Sequence, residues 1–286
     1  MKYTIRITTL LLLFASLLTQ CTKEKSFETG ETNPVYLGND CSISAIASLD
    51  TATGFGLASH TTFFNTGQQA TGTLLYDSTS NTSIFNASFS NRGDTMLISD
   101  GSYFISNTTT GRVAKYIGLQ DPEDPLSDTL EIFFDYNAEG QLVKKDYFIK
   151  GIPVPVFRST YTYTAGNLTQ SKFEIVLPGF EAKLSEADLE YNTNQSVRNF
   201  IYILPDGFLF APYIMALNLG TPSKNALTKM TTRYYDNNVL DETLTTTYRN
   251  YKFSRDGYVL ELTADGDYQE GTGILFGKTK FTYRCK

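Results

Sequence analysis

Histidine occurs once in this chain, at His60, and tryptophan not at all. One histidine cannot build a two-histidine metal motif or a histidine-rich catalytic metal centre. Ser59 beside it makes no dyad, because neighbouring residues on a strand point to opposite faces. The chain has no Gly-x-Ser-x-Gly nucleophile elbow and no Gly-x-x-x-x-Gly-Lys phosphate loop, so the histidine-based hydrolase and nucleotide-binding classes lose their usual apparatus. Positive charge is also short. The 24 basic side chains face 30 acidic ones, a net charge of −6, and a nucleic-acid partner, which needs a basic face, is not expected. The apolar run near the start, Leu10 to Leu18, is shorter than the ~20 residues needed to cross a bilayer.

That run is the core of a secretory leader. Lys2 and Arg6 supply its positive start, and it ends at Leu18-Thr19-Gln20-Cys21. This order resembles a bacterial lipobox, in which a cysteine is acylated and becomes the new N-terminus. Gln20 departs from the usual small residue, a position most relaxed among lipoproteins of the Bacteroidota. The resemblance implies a signal peptide over 1–20 and a lipidated Cys21. Polar residues 22–40 then form a flexible tether. More than one acyl chain holds a protein stably on a membrane, so the expected location is the outer membrane of the cell envelope, facing the periplasm or the surface. Removing Lys2 and Arg6 with the leader deepens the negative charge by two units.

Two cysteines remain, Cys41 and Cys285. In an oxidising compartment two spare thiols more often make a bridge than a metal site. A Cys41–Cys285 disulfide is expected, with two buried free thiols as the alternative. Both pictures bring the first and last strands of a single 41–286 domain together.

The body of the chain is rich in strand formers, with 19 Tyr and 20 Phe. One pattern recurs: aromatic residues at alternate positions, a polar turn holding Gly or Asn, then a branched apolar residue. It occurs at Phe134, Tyr136, Gly140 and Leu142; at Tyr161, Tyr163, Gly166 and Leu168; and at Tyr251, Phe253, Gly257 and Val259. Looser copies run through Tyr103, Gly111 and Val113, through Leu189, Tyr191 and Val197, and through Tyr234, Asn238 and Leu240. Alternation closed by a Gly or Asn turn marks a β-hairpin, so the fold class is all-β, an antiparallel meander of hairpins. From Leu204 to Leu227 the alternation fails, and one short helical or irregular insertion is expected near 205–228, lying on one face of the sheet.

These hairpins resemble the Tyr-Asp type repeats of Bacteroidota lipoproteins, including families whose members form a curled, porin-like sheet. The copies at 134–142 and 251–259 carry the likeness, which covers roughly residues 100 to 286. The resemblance implies a curled sheet or half-barrel and no particular reaction.

Candidate sites are few. Phe208, Phe210, Tyr213, Ile214, Met215 and Leu217 form the most distinctive apolar segment, either a plug for the sheet's own core or a ligand or partner patch. Asp265, Asp267 and Glu270 cluster in a turn that has the oxygen ligands for Ca²⁺ but reads more simply as an acidic hairpin turn. No cofactor and no catalytic residue is expected. The functional expectation is a non-catalytic envelope lipoprotein that binds or scaffolds, its partners being the membrane through its lipid and an envelope protein or glycan. The alternatives are a carrier of a small apolar ligand or glycan in the concave face, and third a glycan-acting hydrolase built on paired carboxylates.

Overall fold

A computed structural model describes residues 37, 40–49, 58–77, 79–119, 129–206, 212–267 and 275–285. The expected signal peptide, Cys21 and most of the expected tether lie outside these residues. Among them no α-helix occurs, and sixteen antiparallel strands follow one another around a closed barrel in chain order. The first eight are β1 (Cys41–Ser48), β2 (Ala58–Phe64), β3 (Ala70–Asp77), β4 (Thr82–Arg92), β5 (Thr95–Ile98), β6 (Tyr103–Ser106), β7 (Val113–Leu119) and β8 (Thr129–Tyr136). The second eight are β9 (Leu142–Ile149), β10 (Phe157–Thr164), β11 (Asn167–Ile175), β12 (Ala182–Ser196), β13 (Asn225–Asp236), β14 (Val239–Phe253), β15 (Val259–Gly266) and β16 (Gly277–Cys285).

Closure corrects the expectation of a curled sheet or half-barrel. The hairpin pattern reports each strand's neighbours in sequence. The pairing that closes the sheet, β1 with β16, runs from Cys41↔Cys285 to Ser48↔Thr279 and is set by residues far apart in the chain. Cys41 and Cys285 stand at disulfide distance at the head of that seam, 2.04 Å between sulfurs and 244 residues apart in sequence.

Turn chemistry explains the tight hairpins. Ala165 and Gly166 both have positive φ (49° and 82°) between paired Thr164 and Asn167. Asn237 and Asn238 (48° and 66°) do the same between Asp236 and Val239. Two successive positive φ values make the primed turn whose twist suits a two-residue hairpin.

Because the strands run up and down, the barrel has two ends. The β2–β3, β4–β5, β6–β7, β8–β9, β10–β11 and β14–β15 turns share one end with the start of β1 and the finish of β16; this end is called the mouth. Three mouth tyrosines repeat one bond: Tyr136 Oη donates to Val113 O (2.8 Å), Tyr251 Oη to Leu227 O (2.7 Å) and Tyr283 Oη to Val259 O (2.9 Å). In each case a tyrosine near the end of a strand reaches a residue near the start of the strand before it. In two copies of the aromatic-turn-branched pattern, at Tyr136 and Tyr251, the bond ties an aromatic of the pattern to the neighbouring strand.

The connection from β12 to β13 differs from the other turns at the mouth. Its described residues, 197–206 and 212–224, turn into the lumen as an irregular segment instead of forming a hairpin at the mouth. Phe200, Ile203, Leu204, Tyr213, Ile214, Leu217 and Leu219 are buried in the core with wall residues such as Phe104, Ile132, Leu142 and Met230. Each such side chain contributes about 1.5–3 kcal/mol. The irregular insertion thus lies inside the barrel, where the sequence suggested one face of a sheet, and strand structure resumes at Asn225.

Candidate functional site

Alternation along β9 sends two adjacent lysines to opposite sides of the wall. Lys144 points out, to Asp135 (2.8 Å) and Asp146 (3.0 Å). Lys145 points into the lumen, where its Nζ lies 2.9 Å from Asp206 Oδ2 and both side chains are buried. Asp206 belongs to the inserted segment, so this ion pair joins the plug to the wall. Tyr161 Oη donates to Asp206 Oδ1 (2.6 Å), and the hydroxyls of Ser159 and Tyr147 reach Oδ2. Burial opposes the carboxylate's charge, but the Lys145 ammonium and the hydroxyls of Ser159 and Tyr161 outweigh it and hold the Asp206 pKa below its ordinary value. Burial likewise opposes the ammonium, yet Asp206 and Tyr147 keep the Lys145 pKa raised. The pair is ionised.

A second tie lies on the opposite wall. His60 Nε2, on β2, is 2.9 Å from Pro212 O of the plug and 2.8 Å from Thr73 Oγ1 of β3. Burial lowers the His60 pKa to about 4, against the opposing pull of the Pro212 carbonyl, so the ring is neutral at pH 7 and serves as a structural donor. Next to it Tyr213 packs among Phe85, Phe104 and Phe89, with ring centroids 5.6, 5.8 and 6.1 Å away. The plug returns to the mouth along the wall. Val113 N donates to Asn218 O, and Thr221 N to Gly140 O.

Two clefts remain at the mouth, one on either side of Leu217 and Asn218. The first, of about 280 Å³, lies between the plug and the start of β1, lined by Ser42, Asn199, Tyr202 and Met215 among others. The second, of about 400 Å³, lies between the plug and the β4–β5 and β6–β7 turns. Its lining combines Met96, Phe104, Val113 and Leu217 with Asn91, Asp94, Asn107 and Asn218.

Of the apolar segment singled out in the sequence, Tyr213, Ile214 and Leu217 are buried and Met215 packs partly buried against the same core. Phe208 and Phe210 lie outside the described residues. The described part therefore fills the lumen. Of the suggested Ca²⁺ turn, Asp265 pairs with Arg249 (2.7 Å), Asp267 Oδ2 accepts from Thr245 N (2.8 Å), and Glu270 lies outside the described residues. Among the described residues no three acidic, histidine or cysteine side chains converge to hold a metal. Tyr161 was marked from sequence only as a hairpin aromatic, and Lys145, Ser159 and Asp206 were not singled out, although Lys144-Lys145 in a strand requires one of the two to face inward.

The outward face carries a belt of cross-strand ion pairs. Lys115 meets Glu131 (2.9 Å), Arg158 meets Asp146 (2.6 Å), Arg233 meets Asp188 (2.6 Å) and Lys252 meets Glu261 (2.7 Å). Lys229 meets Glu190 across strands and Lys183 meets Glu186 within β12, each at 3.0 Å. Exposed pairs of this kind add at most about 1 kcal/mol each, so their information lies in where they stand. They occupy the wall from β7 to β16, in the place where a membrane-spanning barrel presents an apolar band.

Neither a protein-family model nor a curated protein sequence matches the chain. Among solved structures the fold resembles two porin-like proteins. One, from Bacteroides uniformis ATCC 8492, superposes with a TM-score of 0.57 at 16% identity, covering 85% of this chain and 98% of that one. The other, from Bacteroides vulgatus ATCC 8482, gives 0.51 at 12% identity, covering 86% and 99%. The likeness is one of fold.

Proposed function

We propose that this chain is a non-catalytic lipoprotein of the cell envelope, a water-facing barrel stoppered by its own β12–β13 segment and binding through its mouth. The observation that carries the reading is the ion-pair belt. Lys or Arg on a lipid-facing wall costs about 2–4 kcal/mol at the bilayer midplane, and the outward wall holds them on strand after strand. Barrels of this strand number leave an aqueous channel when they serve as porins. Here Asp206, Tyr213 and Leu217 occupy that space. Membrane attachment then falls to the acylated Cys21, through a tether of residues 22–40 that joins β1 at the mouth end. A glycoside hydrolase needs two carboxylates facing one space; Asp206, the carboxylate buried in the described lumen, is neutralised by Lys145.

The test has two arms. Residues 22–286, refolded under oxidising conditions without detergent, are expected to run as a monodisperse all-β species and to give no conductance in a planar bilayer. In cells, Cys21→Ala is expected to move the protein from the membrane fraction to the soluble fraction. Aggregation without detergent together with channel activity would overturn the reading, as would an unchanged membrane fraction for the variant.

A further inference from the structure

We infer that the larger mouth cleft, between Ala216–Asn218 of the plug and the β4–β5 and β6–β7 turns, is a binding site for a neutral saccharide. The inference rests on the reading of the barrel as stoppered, since a through-channel would pass a sugar and not hold it. Size is the first argument. At about 400 Å³ the cleft exceeds the ~300 Å³ lower end of small-molecule sites, whereas its neighbour of about 280 Å³ does not.

Chemistry is the second. The floor is apolar, with Met96, Val113 and Leu217, and suits the C–H face of a pyranose. The rim offers Asp94, Asn107 and Asn218. Each rim group is already held by a local bond that leaves part of its capacity for a ligand. Asn107 Oδ1 accepts from Thr109 N and Thr110 N, both at 3.0 Å, which turns its Nδ2 into the spare donor. Asn218 Oδ1 accepts from Gly220 N (3.1 Å), with the same result. Asp94 Oδ1 accepts from Thr95 Oγ1 (3.0 Å), leaving Oδ2 as an acceptor. Two amide donors and one carboxylate acceptor, fixed before binding, match the mixed donor and acceptor character of vicinal hydroxyls. Orientation fixed in advance also lowers the entropic cost of binding.

Other ligand classes fit less well. A purely apolar ligand would bury the Asn107, Asn218 and Asp94 groups without partners, at about 1–3 kcal/mol for each. An anionic ligand would meet Asp94 in a chain of net charge −6.

The test uses the detergent-free 22–286 protein after gel filtration and circular dichroism have established that it is folded. Saturation-transfer NMR and calorimetry are run with neutral hexoses, N-acetylhexosamines and their disaccharides, with glucuronate as the anionic comparison. Binding of at least one neutral sugar with a dissociation constant of about 1 mM or tighter is expected. Asn107→Ala and Asn218→Ala are each expected to weaken it about tenfold, and the outward-facing Ser90→Ala not at all. A folded, soluble, non-conducting barrel that binds no member of the panel would overturn the saccharide site while leaving the envelope reading intact. Tighter binding of glucuronate, or unaltered affinity in both asparagine variants, would overturn it as well. A barrel that conducts would instead sink the reading on which the inference stands.

Discussion

At the level of single residues, the lumen holds two charges that only the fold makes compatible. Removing one member of a buried pair strands the other, at a cost of about 3–5 kcal/mol, whereas replacing both with apolar residues of similar volume is often neutral. Asp206→Ala and Lys145→Ala are therefore each expected to destabilise the barrel by that amount in urea unfolding. Lys145→Met combined with Asp206→Leu should recover most of the loss, and a double variant as unstable as the singles would show that the pair is not the main tie. His60 gives a second test with a definite sign. Its folded pKa of about 4 lies below the 6.5 of the free side chain, so the unfolded chain takes up the proton first. Its contribution is fully present above pH 6.5 and is lost as the pH falls toward 4, a change of about 3 kcal/mol. The stability difference between the protein and its His60→Gln variant should move by about that much between pH 7 and 4. A difference that stays constant would place the titrating group elsewhere. Neither site was legible beforehand. His60 was a solitary histidine, and nothing local says that Asp206 is buried opposite a lysine some sixty positions earlier.

Elements were more legible than residues. Phe134, Tyr136, Gly140 and Leu142 announce the β8–β9 hairpin, and Tyr251, Phe253, Gly257 and Val259 announce β14–β15, because alternation and a positive-φ turn are local properties. The Val197 copy misled. Leu189 and Tyr191 lie on β12 as the pattern requires, but Val197 opens the plug and not the next strand. The loss of alternation after Leu204 did mark the insertion, and its apolar content is what lets it fill a lumen. Its side of the sheet was hidden because a curled sheet and a closed barrel share the same hairpins. The plug's return to the mouth depends on a close approach at Gly220, where φ is +90° and an added Cβ would lie 2.1 Å from Gly140 O. A backbone atom there cannot move aside as a flexible side chain does. Gly220→Ala is expected to cost more than about 1 kcal/mol and to speed amide hydrogen exchange in 212–224 relative to the wall strands. Unchanged exchange in that segment would mean that the return is held elsewhere.

For the whole molecule, closure is the property that hairpin patterns cannot supply. Fifteen of the sixteen strand pairings join neighbours in sequence, and the last joins the two ends of the domain. A barrel without that seam has two edges of unpaired backbone, and in the unfolded chain the ends must find each other across 244 residues. A covalent link at the head of the seam, between Cys41 and Cys285, removes most of that search from the unfolded ensemble. The chain-entropy model assigns about 5 kcal/mol to so long a loop. For a domain of this size 1 kcal/mol moves the thermal midpoint by about 2–4 °C, so the Cys41→Ser, Cys285→Ser protein should melt about 10–20 °C lower. Its circular dichroism at 20 °C should be unchanged, because the β1–β16 hydrogen bonds and the Cys41 N to Tyr258 Oη bond (3.1 Å) need no sulfur. Wild-type protein treated with reductant should fall to the same midpoint as the double variant. Equal midpoints with and without the bridge would instead mean that the two ends already stay close in the unfolded chain, which places the origin of closure in the plug and the mouth tyrosines.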